Sequence, residues 1–367
     1  MTDPQLADNV KPFSKVRILS IDGGGIRGII PATIICYLEE EIRRLTQNEN
    51  AKIGEYFDLI AGTSTGGILA SIYLVPQVAG TTDAKYSAID ALNLYKKNGH
   101  LIFEKSFIEQ VTHSPLINEK YSAKNLQKLL DTYFQKTLLS ELIRPCLITS
   151  YDFFKRRAVF FNSNDARCDS GAVKDFYVNQ VTRATSAAPT YFEPVQIKSL
   201  TEGEFNLIDG GVFVNNPAMC AFSEARNTNF NEDRFINNNR LKTAKPNKPK
   251  TEQMYIVSIG TGSESKPYQY DDLKNAGLIS WVPVLIDIMM SANSETVDYH
   301  LRKMFEAMDT TDQHDYIRLK PSLGSASSEM DDASADNIES LYEAGNMFVY
   351  ENTKKLKEIA KRLVEYS

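Results

Sequence analysis

The stretch Gly62-Thr63-Ser64-Thr65-Gly66 limits the folds open to this chain more than any other. The apolar run Phe57 to Ala61 precedes it and a second, Ile68 to Val75, follows, so it reads as a strand, an abrupt turn and a helix. So sharp a turn needs glycine where strand and helix cross, because a Cβ there would collide. It also leaves the central residue in a strained backbone, with its side chain thrust above the sheet. That residue is Ser64, a candidate nucleophile. Taken alone, a Gly/Ser/Thr cluster is equally the composition of a flexible turn, and such short patterns recur by chance. The companions of Ser64 therefore decide its meaning.

Upstream, Val16 to Ile21 is a short β-branched and apolar run that reads as a buried strand and ends in Asp22-Gly23-Gly24-Gly25-Ile26-Arg27-Gly28. From Ile29 to Leu45, Ile30, Ile34, Leu38 and Ile42 recur at helical spacing on one buried face. Strand, glycine loop and helix, followed by the strand that leads to Ser64, open a βαβ unit. Tyr86 to Tyr133 is helix-rich and more polar, with Ser122 expected to cap Ala123 to Phe134, and reads as an insertion around 86–134. Strands are predicted over Pro145 to Tyr151 and Ala158 to Phe161, joined by the charged turn Lys155-Arg156-Arg157. A helix is predicted over Val173 to Ala188, and the short strand Phe205 to Ile208 then runs into Asp209-Gly210-Gly211 and Asn215-Asn216-Pro217. Met254 to Gly260 is a further buried strand. Helices over Leu278 to Met308 and Ile338 to Val364 flank a short strand at Tyr316 to Leu319. No linker divides the chain convincingly. The expected organisation is a flexible N-terminus over 1–14, one α/β catalytic domain over 15–320, and a helical extension over 321–367 packed on it.

Composition narrows the function. With 41 basic and 47 acidic side chains the formal charge is −6, which argues against a nucleic acid polymer as partner. The four cysteines lack C-x-x-C spacing and the His/Cys pattern suggests no metal site. The first 14 residues carry no charged-then-apolar signal pattern. The most apolar segment, Ile279 to Met290, contains Pro283 and Asp287 and falls short of the roughly 20 residues a membrane helix needs. A cytoplasmic protein, peripheral at membranes when it meets them, is expected. Asn227 to Thr251 reads as a solvated loop whose Lys245, Lys248 and Lys250 face water or anionic head groups.

A serine hydroxyl becomes a useful nucleophile once a base takes its proton and donors hold the charge that develops on the attacked carbonyl. The four histidines, His100, His113, His300 and His314, all lie outside Gly-bounded loops after strands. Asp209, after a strand and before a glycine pair, is the better base, provided that a low-dielectric pocket and short geometry compensate for an ordinary carboxylate pKa near 3.9. Gly23, Gly24 and Gly25 can bring backbone N–H groups to a substrate oxygen, aided by the positive end of the helix beginning near Gly28. The same residues also match the dinucleotide fingerprint G-x-G-x-x-G, which would imply an oxidoreductase, but no acid stands at the end of the next strand to hold a ribose.

These four blocks, Asp22 to Gly28, Gly62 to Gly66, Ala184 to Phe192 and Asp209 to Gly211, in this order and spacing, resemble the patatin-like phospholipase family. The resemblance covers about 16–217. It implies a three-layer α/β/α sandwich related to α/β-hydrolases, a Ser-Asp dyad without histidine, and lipid acyl hydrolysis without metal or organic cofactor. By position, Ser64 matches the nucleophile, Asp209 the base and Gly23 to Gly25 the oxyanion loop, with Arg27 beside that loop. Asp22, Arg27, Gly28, Gly62, Gly66 and Gly210 are the supporting residues. The implied substrate is a phospholipid or another acyl lipid. Some bacterial members resemble enzymes switched on by a small nucleotide, which the C-terminal helices could host. A non-catalytic lipid-binding or partner-binding protein is the remaining alternative.

Overall fold

The computed structural model describes residues 15–104, 120–168, 174–201, 203–230, 245–263, 268–274, 276–309 and 312–367. The expected flexible N-terminus, His113 with the middle of the insertion, and Lys242 lie outside the described residues.

Strand β1 (Val16–Ile21) is buried along its whole length, and its side chains alternate between two cores. Leu19 and Ile21 join the larger cluster, while Val16 and Ile18 join the smaller one on the opposite face. A strand apolar on both faces must be covered on both, so the sheet becomes the middle of three layers. β1 pairs in parallel with β2 (Leu59–Gly62) on one side and β7 (Met254–Ile259) on the other, and β7 pairs in parallel with β8 (Tyr316–Leu319). The larger core is closed by α1 (Ile29–Thr46), α2 (Thr65–Leu74) and α3 (Ala88–Ile102), with α4 (Lys124–Phe134) and α5 (Val178–Thr185) beside them. The smaller is closed by α6 (Ala218–Ala225) and the C-terminal half of α7 (Leu278–Glu306). This is the expected α/β/α sandwich.

The other half of the sheet brings the site together. β3 (Cys146–Asp152) carries β4 (Arg157–Asn162) antiparallel along Leu147 to Asp152. A strand has only two edges, so its remaining partners must share the other one. β2 takes the lower part, with Gly62 opposite Ile148. β6 (Glu204–Asp209) takes the upper part antiparallel, with Asp209 opposite Ser150. The C-terminal ends of β2 and β6 thus approach each other head to head along one edge of β3. β5 (Val195–Lys198), not foreseen from the sequence, pairs with β6 alone at the sheet margin.

Three expectations shift. Of the helix predicted over Val173 to Ala188, only Val178–Thr185 is helical among the described residues, because Asp175 accepts the N–H groups of Ser140 and Phe176, and Tyr177 is held extended against Leu138. The C-terminal helix is two, α8 (Ala335–Glu351) and α9 (Thr353–Glu365), broken at Asn352, whose side chain donates to the Phe348 carbonyl and competes with the helix backbone. Both pack into the larger core through residues such as Leu341 and Leu356. Finally, Lys245 does not face solvent. It is buried, its Nζ lies 3.2 Å from Asp58, and it donates to the carbonyl of Lys15 at 2.8 Å. Asp58 is already gripped by Arg17, whose Nε and Nη2 donate at 3.0 and 2.8 Å. A lysine-rich stretch shows its composition, but not that a buried carboxylate elsewhere draws one lysine inward. Lys248 and Lys250 are exposed as expected.

Candidate active site

Ser64 stands between β2 and α2 with φ 55° and ψ −123°, a backbone region that a residue with a Cβ adopts only under constraint. The constraint is visible. The Ser64 N–H donates to Thr185 Oγ1 at 2.8 Å, its carbonyl accepts the Ile68 N–H at 3.1 Å, and the Gly66 N–H donates to the Thr63 carbonyl at 2.8 Å. Such a conformation costs about 1–3 kcal/mol, which these bonds and the burial of α2 offset. The flanking glycines serve close approach: a Cβ on Gly62 would stand 2.1 Å from the Gly66 carbonyl oxygen, and one on Gly66 2.1 Å from that of Ile21.

The junction between the ends of β2 and β6 is filled by Thr149. Its hydroxyl lies 2.7 Å from that of Thr63, and a Cβ on Gly210 would stand 2.1 Å from the same oxygen. Gly210 therefore lets the chain turn directly over β3 after Asp209. The Asp209 carboxylate has the Ser64 side chain as its neighbour, and its Oδ1 accepts the Gly211 N–H at 2.7 Å. Burial pushes the Asp209 carboxyl up to about 7, against the downward pull of the Ser64 side chain and the Gly211 N–H. No cation contributes to that balance. His100, His300 and His314 are exposed, and none of them acts on the Asp209 carboxyl.

The glycine loop after β1 lies next to Ser64, since β1 and β2 are adjacent and in parallel register. A Cβ on Gly23 would come within 3.2 Å of the Ser64 Cβ and 2.5 Å of Asn215 Oδ1, so the loop passes as close to the serine as backbone can. The three glycines differ in what their amides do. The Gly23 N–H donates to the Asn215 carbonyl at 3.2 Å, whereas among the described residues no acceptor takes the N–H of Gly24 or Gly25. Gly25 has φ 59°, and a Cβ there would stand 2.1 Å from the Met330 carbonyl oxygen. That carbonyl accepts the Ile26 N–H at 2.8 Å, so the Ser/Ala/Asp-rich loop before α8 lies against the glycine loop. Arg27 is buried beside it, with Nε 3.4 Å from the Gly24 carbonyl. A Cβ on Gly28 would stand 2.2 Å from Thr65 Oγ1, so this glycine lets the start of α1 touch the elbow helix.

Asp22 holds the loop from beneath. Its N–H donates to the Ile259 carbonyl at 3.0 Å, and its carboxylate takes a two-pronged grip from Arg318 of β8, at 2.8 and 2.5 Å. Burial raises the Asp22 carboxyl above its ordinary value despite the opposing charge of Arg318. Sequence reasoning missed Arg318, although an arginine between the apolar residues of a short, partly buried strand is itself a sign of an acidic partner. It also missed Asn293 of α7, which donates to the Phe213 carbonyl at 2.9 Å and accepts the Asn215 N–H at 2.9 Å, fixing the segment after Asp209. Thr185 lay inside a block singled out from the sequence without a role. Among the described residues no cluster of His, Cys, Asp and Glu could hold a metal ion, and no helix is long and apolar enough to cross a membrane.

Comparison with known proteins places this geometry in context. Residues 19–222 match the profile described as Patatin-like phospholipase. Patatin-T5 of Solanum tuberosum is 31% identical over 350 residues, covering 93% of this chain and 85% of its own length. Patatin-like protein 2 of Oryza sativa subsp. indica is 31% identical over 377 residues, covering 97% and 89%. A third relative, 32% identical over 339 residues and covering 90% and 85%, is named Probable inactive patatin-3-Kuras 1, of Solanum tuberosum.

Proposed function

This chain belongs to the patatin-like phospholipase family, and from that premise we propose that it is a lipid acyl hydrolase of the phospholipase A or lysophospholipase type, working through a Ser64–Asp209 dyad. The observation that carries the reading is that the buried Asp209 carboxylate has the Ser64 side chain as its neighbour and, among the described residues, no histidine or cation acting on it. A carboxylate at its ordinary pKa is a poor base towards serine. Raised to about 7, it is matched to proton transfer near neutrality.

In this mechanism Ser64 Oγ attacks the ester carbonyl as its proton passes to Asp209. The oxyanion of the tetrahedral intermediate takes hydrogen bonds from the Gly24 and Gly25 N–H groups, while Gly23 provides clearance rather than a donor. Collapse breaks the ester bond, and the leaving alcohol takes the proton from Asp209. Water then attacks the acyl-serine, giving its proton to Asp209. The second collapse releases the fatty acid and returns the proton to Ser64. Asp22 with Arg318, and Arg27, keep the loop in place.

Family membership by itself does not decide turnover, since one relative is named as probably inactive. The intact pair favours activity over a non-catalytic lipid-binding protein. The dinucleotide alternative loses support because the Ile26 and Arg27 amides at the helix start already donate to Met330 and Gly24. The test is fatty acid release from phospholipid micelles by purified protein and by Ser64→Ala and Asp209→Asn. Each variant is expected to lose about 10²–10⁴-fold or more, and an unaffected rate in either removes that residue's role. Running the assay with and without added nucleotides tests the small-nucleotide activator that the resemblance raises.

A further inference from the structure

We propose that the hairpin between β3 and β4, together with the N-terminal half of α7, docks this chain on an anionic phospholipid bilayer with the Ser64 site at the contact. What docking achieves rests on the acyl-hydrolase reading; docking itself does not.

The hairpin rises from the end of the sheet that carries the site. Ile148 is level with the end of β2, and β3 continues four residues further to Asp152, about 13 Å at strand spacing, before the turn that carries Phe154. Its tip is Phe153-Phe154-Lys155-Arg156-Arg157. Phe154 is 75% exposed, and Phe153 and, further down β4, Phe160 are exposed as well. The tip is built to stay in this form: buried Asp152 accepts the N–H groups of Phe154 and Lys155 through one oxygen, at 3.1 and 3.0 Å, and Arg156 turns the chain with φ 51°. Two exposed rings held in place by a buried carboxylate have no role in the core.

Charge selects the occupant. Lys155, Arg156 and Arg157 are all exposed, and among the described residues none of them pairs with a carboxylate; Lys155 instead lies 4.8 Å over the Phe205 ring. Aromatic rings flanked by three unpaired cations suit the boundary between head groups and acyl chains of an anionic membrane. A second copy of the chain fits poorly, because two such tips meeting would bring six cations together. The surface also continues past the site. Phe213, four residues beyond Asp209, has its ring 5.8 Å from that of Phe160 and its carbonyl held by Asn293 of α7. From Asn293 towards its N-terminus, α7 exposes Met289, Leu285 and Val282, at helical spacing on one face. An apolar strip thus runs from the hairpin across the segment that carries Asp209 and on to α7.

The experiment is co-sedimentation of Ser64→Ala protein with vesicles of phosphatidylcholine, with and without added phosphatidylglycerol, in parallel with turnover of a water-soluble short-chain ester by protein with Ser64 intact. Binding is expected only with phosphatidylglycerol. It should weaken about fivefold for each of Lys155→Ser, Arg156→Ser and Arg157→Ser, and roughly tenfold or more for Phe154→Ala, while turnover of the soluble ester is unchanged. Vesicle binding that survives the triple cation variant overturns the proposal. So does a shift from dimer to monomer in that variant, by analytical ultracentrifugation, with vesicle binding intact, since the surface would then serve self-association. Vesicle binding that follows these residues in a protein that hydrolyses no ester would leave docking standing and remove the hydrolase reading instead.

Discussion

Replacing Asp209 by asparagine should remove hydrolysis and at the same time make the protein more stable, and the size of the gain follows from the site. The carboxyl is fully buried and titrates at about 7 rather than 3.8. Its folded-state pKa lies above its unfolded value, so between these two values the folded protein binds more protons than the unfolded chain, and stability falls as pH rises through that window. The difference of 7 minus 3.8, about 3 units at about 1.4 kcal/mol each, sets a ceiling of about 4 kcal/mol on the cost of keeping Asp209 ionised. Asparagine keeps an oxygen for the Gly211 N–H, which now donates at 2.7 Å, but must rearrange its contact with Ser64. A net gain of about 2–3 kcal/mol above pH 7 is expected. It should shrink steadily on acidification and vanish below about pH 4. Urea denaturation of both proteins across that range measures it. A variant no more stable than the parent at high pH, or a gain independent of pH, would refute the claim that burial raises this carboxyl.

The same ionisation should govern rate: kcat/KM for a soluble ester is expected to rise with pH and level off with a midpoint at about 7, and a profile flat across that midpoint would speak against Asp209 as base. Gly66→Ala places a Cβ 2.1 Å from the Ile21 carbonyl oxygen, so chemical denaturation should show a loss of about 3 kcal/mol or more; a neutral result would mean the elbow is looser than described. Arg318→Met strips the buried Asp22 of its bidentate partner and is expected to cost about 3–5 kcal/mol, with Asp22→Asn in the same background recovering part of it. At the other end of β1, burial alone would raise the Asp58 carboxyl, but the charges of Arg17 and Lys245 outweigh it and hold it well below the ordinary range. This folded-state pKa is depressed, so the stabilisation is present above the unfolded pKa and is lost as pH falls. Asp58→Asn should therefore destabilise by about 3–5 kcal/mol at neutral pH, and the deficit should narrow in acid.

What could be read in advance was what local pattern encodes. Val16 to Ile21 and Met254 to Gly260 are apolar on both faces, which only a covered sheet tolerates, and Gly62 and Gly66 bracket a turn that has few other solutions. Ser64 and Asp209 could be singled out as candidates because each sits at a strand end beside glycine. The rest depends on partners distant in sequence. That β6 lies antiparallel above β2 on one edge of β3 is a matter of register, which no stretch of Phe205 to Ile208 announces. Arg318 belongs to the site only because β8 is carried beside β7, and Lys245 turns inward only because Arg17 and Asp58 are already there. The division of labour among Gly23, Gly24 and Gly25 is likewise set from outside the loop, by Asn215 and Met330.

The central claim, that Asp209 activates Ser64 for covalent catalysis, is tested most directly by intact-mass and peptide mapping after exposure to a long-chain fluorophosphonate. One adduct per chain, located on Ser64 and formed far more slowly in Asp209→Asn, is the predicted result. An unlabelled Ser64, or labelling equally fast without the Asp209 carboxylate, would contradict it.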